Sequence, residues 1–156
     1  MRSRLVGCAL LAACNHHLIR ADYGAGNSGV NYRAEPEHVA LAAADGEVVH
    51  TTGTSPGHIC VLLVHHPPQQ PQHQFFTAYC FLDSAVVQRG RTVLRGEMLG
   101  TADWMVRLQL CTYPCATAVW DDFEGTRNPE RHMAGCYEPR RTYDPATLTR
   151  PVPCRN

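Results

Sequence analysis

Turn-forming residues cut the middle of this chain into pieces suited only to strands. Asp45-Gly46 interrupts residues 39–50, a run of Pro and Gln fills 66–74, and Gly90, Gly96 and Gly100 follow in close succession. Asp-Gly is a tight-turn pair, because both residues tolerate the backbone such turns need. It also stops the Ala42-Ala43-Ala44 run before a helix can establish itself, so it reads as a turn between two short strands. Residues 59–64 and 75–82 are apolar, with many β-branched and aromatic side chains, and read as strands on either side of the Pro-rich loop. If these two strands pair, Cys60 lies near Cys80. Residues 91–94 and 97–99 are shorter strands, and 104–111 alternates as a half-exposed one. Many short strands with closely spaced turns predict an all-β domain of mostly antiparallel sheets.

At 156 residues, 44% of them hydrophobic and 18% charged, the chain has the length of one domain and enough apolar material for a core. Fourteen basic residues, all Arg, balance fourteen acidic ones. A net charge of zero speaks against a nucleic-acid partner, whose binders usually carry a basic excess. No apolar run reaches the roughly 18–20 residues that span a bilayer.

The amino end has the pattern of an export signal. Arg2 and Arg4 precede a short apolar stretch, and the stretch ends Leu11-Ala12-Ala13-Cys14. That ending resembles the bacterial lipobox, in which the Cys is lipidated, so Cys14 is a lipidation candidate and plain secretion the alternative. Removing Cys8 and Cys14 leaves an even set: Cys60, Cys80, Cys111, Cys115, Cys136 and Cys154. In an exported chain these read as disulfide candidates. Metal binding by Cys111 and Cys115 is a weaker rival, because no second pair with zinc spacing follows. The expected organisation is a signal over 1–14, a polar tether over 15–26, a domain over 27–112, and a Cys- and Pro-rich extension over 113–156. That extension would be pinned by disulfides and pack on the sheet through Trp120, Phe123, Tyr137 and Tyr143. Elsewhere, His65 and His66 read as partly exposed imidazoles and Ser28 as turn chemistry.

The order of these pieces resembles the lysostaphin-type, or LytM-type, zinc peptidases that cut peptidoglycan. The matching segments are Asn27 to Asn31 with Ala43-Ala44-Asp45-Gly46, then Tyr79-Cys80-Phe81-Leu82-Asp83, then Met105 to Leu110. The most specific match is the block from Val87 to Gly100, which has each of the family's glycines in Gly90, Gly96 and Gly100. Tyr143-Asp144-Pro145 resembles the family's closing segment. The resemblance implies a mostly antiparallel β fold, the duplicated hybrid motif of the family.

The family's chemistry needs a zinc held by two His and one Asp, supported by further His residues. Here the ligand positions hold Asn27, Asn31 and Arg107, and the supporting positions hold Phe81 and Met105. A guanidinium has no lone pair for a metal and repels it, and a neutral amide oxygen is a poor zinc ligand. The resemblance therefore points to a pseudoenzyme. No catalytic residue, no metal and no cofactor is expected, and zinc belongs to the family only. The expected role is a non-catalytic envelope protein that binds peptidoglycan or regulates a cell-wall amidase or other hydrolase. It would sit in the periplasm or on the outer membrane as a lipoprotein, or be secreted, and would touch the membrane only through a lipid anchor. Arg107 is the expected anchor for a carboxylate. The alternatives are an active zinc metalloendopeptidase with a different ligand set, and a structural disulfide-rich envelope protein.

Overall fold

The computed structural model describes residues 19–21, 23–24, 27–68, 72–112 and 125–154. The export signal, Cys14, Cys115, Trp120 and Phe123 lie outside the described residues. The strands are β1 (Ile19–Ala21), β2 (Val30–Arg33), β3 (Val39–Leu41), β4 (Gly46–Thr52), β5 (Ile59–His65), β6 (Phe75–Leu82), β7 (Ser84–Ala85), β8 (Thr92–Val93), β9 (Met98–Thr101), β10 (Met105–Cys111) and β11 (Thr126–Arg127). Among the described residues the one helical piece is a 3-10 turn at Pro129–His132, capped by Asn128. The fold is all-β. The larger sheet runs β1-β2-β10-β6-β5-β4-β8, with β11 also on β10, and the smaller runs β3-β9-β7. Every pairing between these strands is antiparallel.

Side-chain alternation decides what each face of the large sheet does. Val30 and Tyr32 of β2, Val106, Leu108 and Leu110 of β10, Tyr79 of β6 and Val61 and Leu63 of β5 point into one buried core. The opposite face carries a second apolar cluster of Cys60, Leu62, Ala78, Cys80 and Cys111. This second cluster corrects the expectation for 104–111. β10 is not half-exposed: it is the middle of the sheet, with cover on both faces along most of its length. The Pro-rich loop does join paired strands, with Val61 opposite Tyr79 and His65 opposite Phe75. Cys60 and Cys80 form the expected cross-strand disulfide, with Cα atoms 4.1 Å apart. A second disulfide joins Cys136 to Cys154, and Cys111 is disulfide-bonded too.

The expected turn between two short strands is present, and the stretch read as a tether contains a strand. Asp45-Gly46 lies at a turn, but β3 and β4 do not form a hairpin: β3 pairs with β9 in the small sheet and β4 with β5 in the large one. The turn passes the chain between sheets, because Leu41 and Val48 have different hydrogen-bonding partners waiting. Residues 19–21 lie in the stretch read as a tether, yet they form β1, with Ile19 opposite Tyr32. The edge of β2 offers backbone groups with which residues 19–21 pair.

The turn at 42–45 is closely packed. Ala42, Ala43 and Ala44 are fully buried. Gly96 N–H donates to the Ala42 carbonyl at 2.7 Å, and Thr149 N–H to the Ala43 carbonyl at 2.8 Å. Larger side chains would hold these backbones apart. Gly96 has φ +78°, and a Cβ there would strike the ring of Tyr137. Arg95 ties the region together. Its backbone N–H donates to Asp45 Oδ1 at 2.7 Å, and its guanidinium donates to the carbonyls of Ala43 (2.8 Å), Asp144 (3.1 Å) and Thr147 (2.8 Å). Tyr143 lies on the guanidinium, 4.7 Å from Cζ to the ring centroid. The C-terminal segment contributes Leu148 and Val152 to the main core and completes the edge of β3 through the bond from Leu41 N–H to the Pro151 carbonyl.

His65 is buried at the end of β5, not partly exposed as the sequence suggested; its neighbour His66 is exposed. The imidazole stacks on Phe75 and sits 2.7 Å from both the Asp45 carbonyl and Thr77 Oγ1. A carbonyl only accepts, so Nδ1 carries a proton. The Tyr79 hydroxyl accepts from Thr77 Oγ1 at 3.0 Å and from the Ala43 N–H at 2.8 Å. The enclosed position favours the neutral ring. Burial is the main cause that lowers its pKa to about 4.

Two predictions follow from this packing. Replacing Arg95 by Ala leaves buried carbonyls without donors and is expected to cost about 3 kcal/mol in urea unfolding. Between pH 6.5 and about 4 the unfolded chain binds a proton at His65 and the folded chain does not. Stability should therefore fall with pH through that window, by about 3 kcal/mol from this group. His65→Gln should show a correspondingly flatter profile of urea midpoint against pH.

Candidate functional site

The candidate site lies on the face of the large sheet away from the main core, where β2, β10 and β6 run side by side. Alternation brings the residues to that face. Asn31 is directly opposite Arg107 across β2 and β10, and Arg107 is opposite Cys80 across β10 and β6. Asn31 is buried, and its Oδ1 accepts the Arg107 Nε–H at 3.1 Å. The Phe81 ring packs on the guanidinium, 4.7 Å from Cζ to its centroid. Asn31, Arg107 and Phe81 thus form one row: amide, cation, ring. One position further along β10, Gln109 donates to Ser28 Oγ at 2.6 Å, both side chains buried.

A groove of about 240 Å³ opens above this row. Thr52, Gly57, His58, Cys60, Cys80, Phe81, Arg107 and Gln109 line it. The Cys60–Cys80 disulfide is one wall and the guanidinium is part of the floor. The structure therefore brings Asn31, Phe81 and Arg107 together. Of the five expected positions, Phe81 and Arg107 line the groove; Asn31 touches it only through Arg107, and Asn27 and Met105 are not part of the lining. Asn27 accepts the Gly29 N–H at its own Oδ1, 3.4 Å away, within the turn before β2. Met105 stands on the same face of β10 as Arg107 but opposite Arg33, beyond the groove.

Sequence reasoning missed several of the groove residues. Thr52 and His58 come from β4 and the turn after it, and no local pattern marks them. Gln109 did carry a signal, as the one amide within an apolar strand. Ser28 is more than turn chemistry, because its hydroxyl receives the Gln109 amide.

Zinc, the metal of the family resembled, does not fit these residues. Of the three ligand positions, one is a permanent cation, and that cation's Nε–H occupies the amide oxygen of another. Among the described residues, no three His, Cys, Asp or Glu side chains gather in a metal-binding arrangement.

The backbone around the groove is that of known structures. The catalytic domain of the antimicrobial peptidase lysostaphin from Staphylococcus simulans superposes with a TM-score of 0.56 at 14% identity, over 77% of this chain and 94% of that domain. The chain has the lysostaphin fold. Full-length lysostaphin gives a TM-score of 0.55 at 15% identity over 75% of this chain, which spans about half (49%) of that protein. LytU gives 0.50 at 11% identity, over 74% of this chain and 83% of that one. No family model and no curated protein sequence matches the chain. The lysostaphin fold is therefore kept here with little of the sequence of those proteins.

The correspondence of positions can be tested by rebuilding the metal site. The triple variant Asn27→His, Asn31→Asp, Arg107→His places two imidazoles and a carboxylate where the family carries them. It is expected to retain about one zinc per chain after gel filtration, read by elemental analysis, while the unchanged protein retains none. A triple variant that folds but stays metal-free would show that these positions do not correspond to the family's ligands.

Proposed function

We propose that this chain is a non-catalytic module of the lysostaphin fold in the bacterial cell envelope, binding peptidoglycan or regulating a hydrolase that acts on it. The observation that carries the reading is the Asn31–Arg107–Phe81 row beneath an open groove. The chemistry of a metallopeptidase is replaced there while a surface for a ligand remains. A guanidinium, an aromatic ring and amides suit a peptide with a free carboxylate, which the cation would hold by charge-assisted hydrogen bonds. The fold supports a cell-wall ligand, because the lysostaphin-type enzymes it resembles act on peptidoglycan. The disulfides support a compartment outside the cytoplasm. Cys14 as a lipid anchor belongs to the same proposal.

The test is sedimentation with purified peptidoglycan sacculi in the presence of zinc. The protein is expected in the pellet, with no muropeptides released into the supernatant. Arg107→Ala should weaken sedimentation roughly tenfold, about 1.4 kcal/mol. Release of muropeptides that a chelator abolishes would overturn the non-catalytic reading. Absence from the pellet would overturn peptidoglycan as the ligand, and pull-down with purified cell-wall amidases would then decide the regulatory arm.

A further inference from the structure

We infer that the Cys60–Cys80 disulfide is the positioning element of the groove, holding Phe81 over Arg107 as a metal centre would hold its ligand strands. The inference rests on the groove being the binding surface proposed above. The pairing of β5 with β6 has Ile59 opposite Leu82 and Val61 opposite Tyr79. Cys60 alone therefore faces two residues, Cys80 and Phe81, which is a β-bulge. Phe81 takes up the extra residue with φ +66°, a backbone region that bulky side chains rarely adopt.

That conformation aims the ring. Tyr79 and Leu82 point into the core on either side, and Phe81 instead turns out to cover Arg107 at 4.7 Å. The disulfide sits on the bulge itself, fixing the residue before Phe81 to β5, and the same Cys80 is the register partner of Arg107 on β10. The row thus runs across four strands: Cys60 on β5, Cys80 and Phe81 on β6, Arg107 on β10 and Asn31 on β2. Its links are a covalent bond, a cation–π contact and a hydrogen bond. Without the crosslink, the bulge can relax to an ordinary ladder by moving Phe81 out of the left-handed region, and a one-residue shift turns its side chain to the other face.

The experiment compares the wild-type chain with Cys60→Ala/Cys80→Ala by two readouts. The first needs no ligand: the Arg107 Nε–H proton, assigned by its loss in Arg107→Lys, should be shifted upfield by the Phe81 ring in the wild type. It should move to the position of an unstacked arginine in the double variant, with the far-UV spectrum of the sheet retained. The second is sedimentation with sacculi, expected to weaken about tenfold in the double variant. Cys136→Ala/Cys154→Ala, which removes the other described disulfide pair, should change neither readout.

Phe81→Gly guards against a double variant that fails to fold, because glycine accepts φ +66° and the disulfide stays. It should lose both the upfield shift and the binding. An unshifted Arg107 signal in the wild type, a shift that survives in the folded double variant, or wild-type binding by Phe81→Gly would overturn the inference. If the wild type itself fails to sediment, the functional reading falls, while the proton shift still decides whether the disulfide positions the row.

Discussion

The Arg95 guanidinium is the interaction on which the rest of this structure depends. It is a buried cation among backbone carbonyls, and those carbonyls belong to stretches far apart in the chain: Ala43 in the turn between sheets, Asp144 and Thr147 near the carboxyl end. A guanidinium can do this because its donors radiate in a plane and it stays charged. Asp45 receives the backbone N–H of the same residue, so the turn and its clamp are fixed together. The clamp also explains the alanines beside it. Chains bonded to both Ala42 and Ala43 leave no volume for anything larger. His65 completes the arrangement from the other side, with its Nδ1 on the Asp45 carbonyl.

The C-terminal segment is bound to the domain by the same logic. It reaches the main core through Leu148 and Val152, lends a carbonyl to β3, and is closed on itself by Cys136–Cys154. Segments of this kind lack the periodicity of a strand. They hold their place through individual hydrogen bonds and a covalent bond, each of which must find its partner in three dimensions.

The groove residues are arranged differently from a metal centre. A metal centre needs lone pairs converging on a point. Here the neighbouring positions on β2, β10 and β6 satisfy one another: an amide oxygen takes the guanidinium proton, and the guanidinium takes the ring. The guanidinium lies at the floor of the groove, beside the polar side chains of Thr52, His58 and Gln109. The surface so formed combines an aromatic ring, a cation and polar side chains beside the Cys60–Cys80 disulfide.

Alternating apolar residues and turn pairs made the strands of this protein legible in its sequence, because strand formation answers to local patterns with a period of two. The glycine spacing between Gly90 and Gly100 and the pairing of Cys60 with Cys80 were legible as well. A turn residue and a hairpin each obey rules that span few neighbours. The amino acids at Asn27, Asn31, Phe81, Met105 and Arg107 could likewise be read as unsuited to zinc, since donor chemistry is a property of the side chain alone. Tertiary structure alone decided which of them meet. It put Asn31, Arg107 and Phe81 in one row, kept Asn27 out of the groove lining, and brought Thr52, His58 and Gln109 to the groove. It also buried His65 and covered β10 on both faces. Those outcomes depend on sheet register and on a bulge that shifts one side chain across a strand, and register is set by what packs against the sheet rather than by the strand itself.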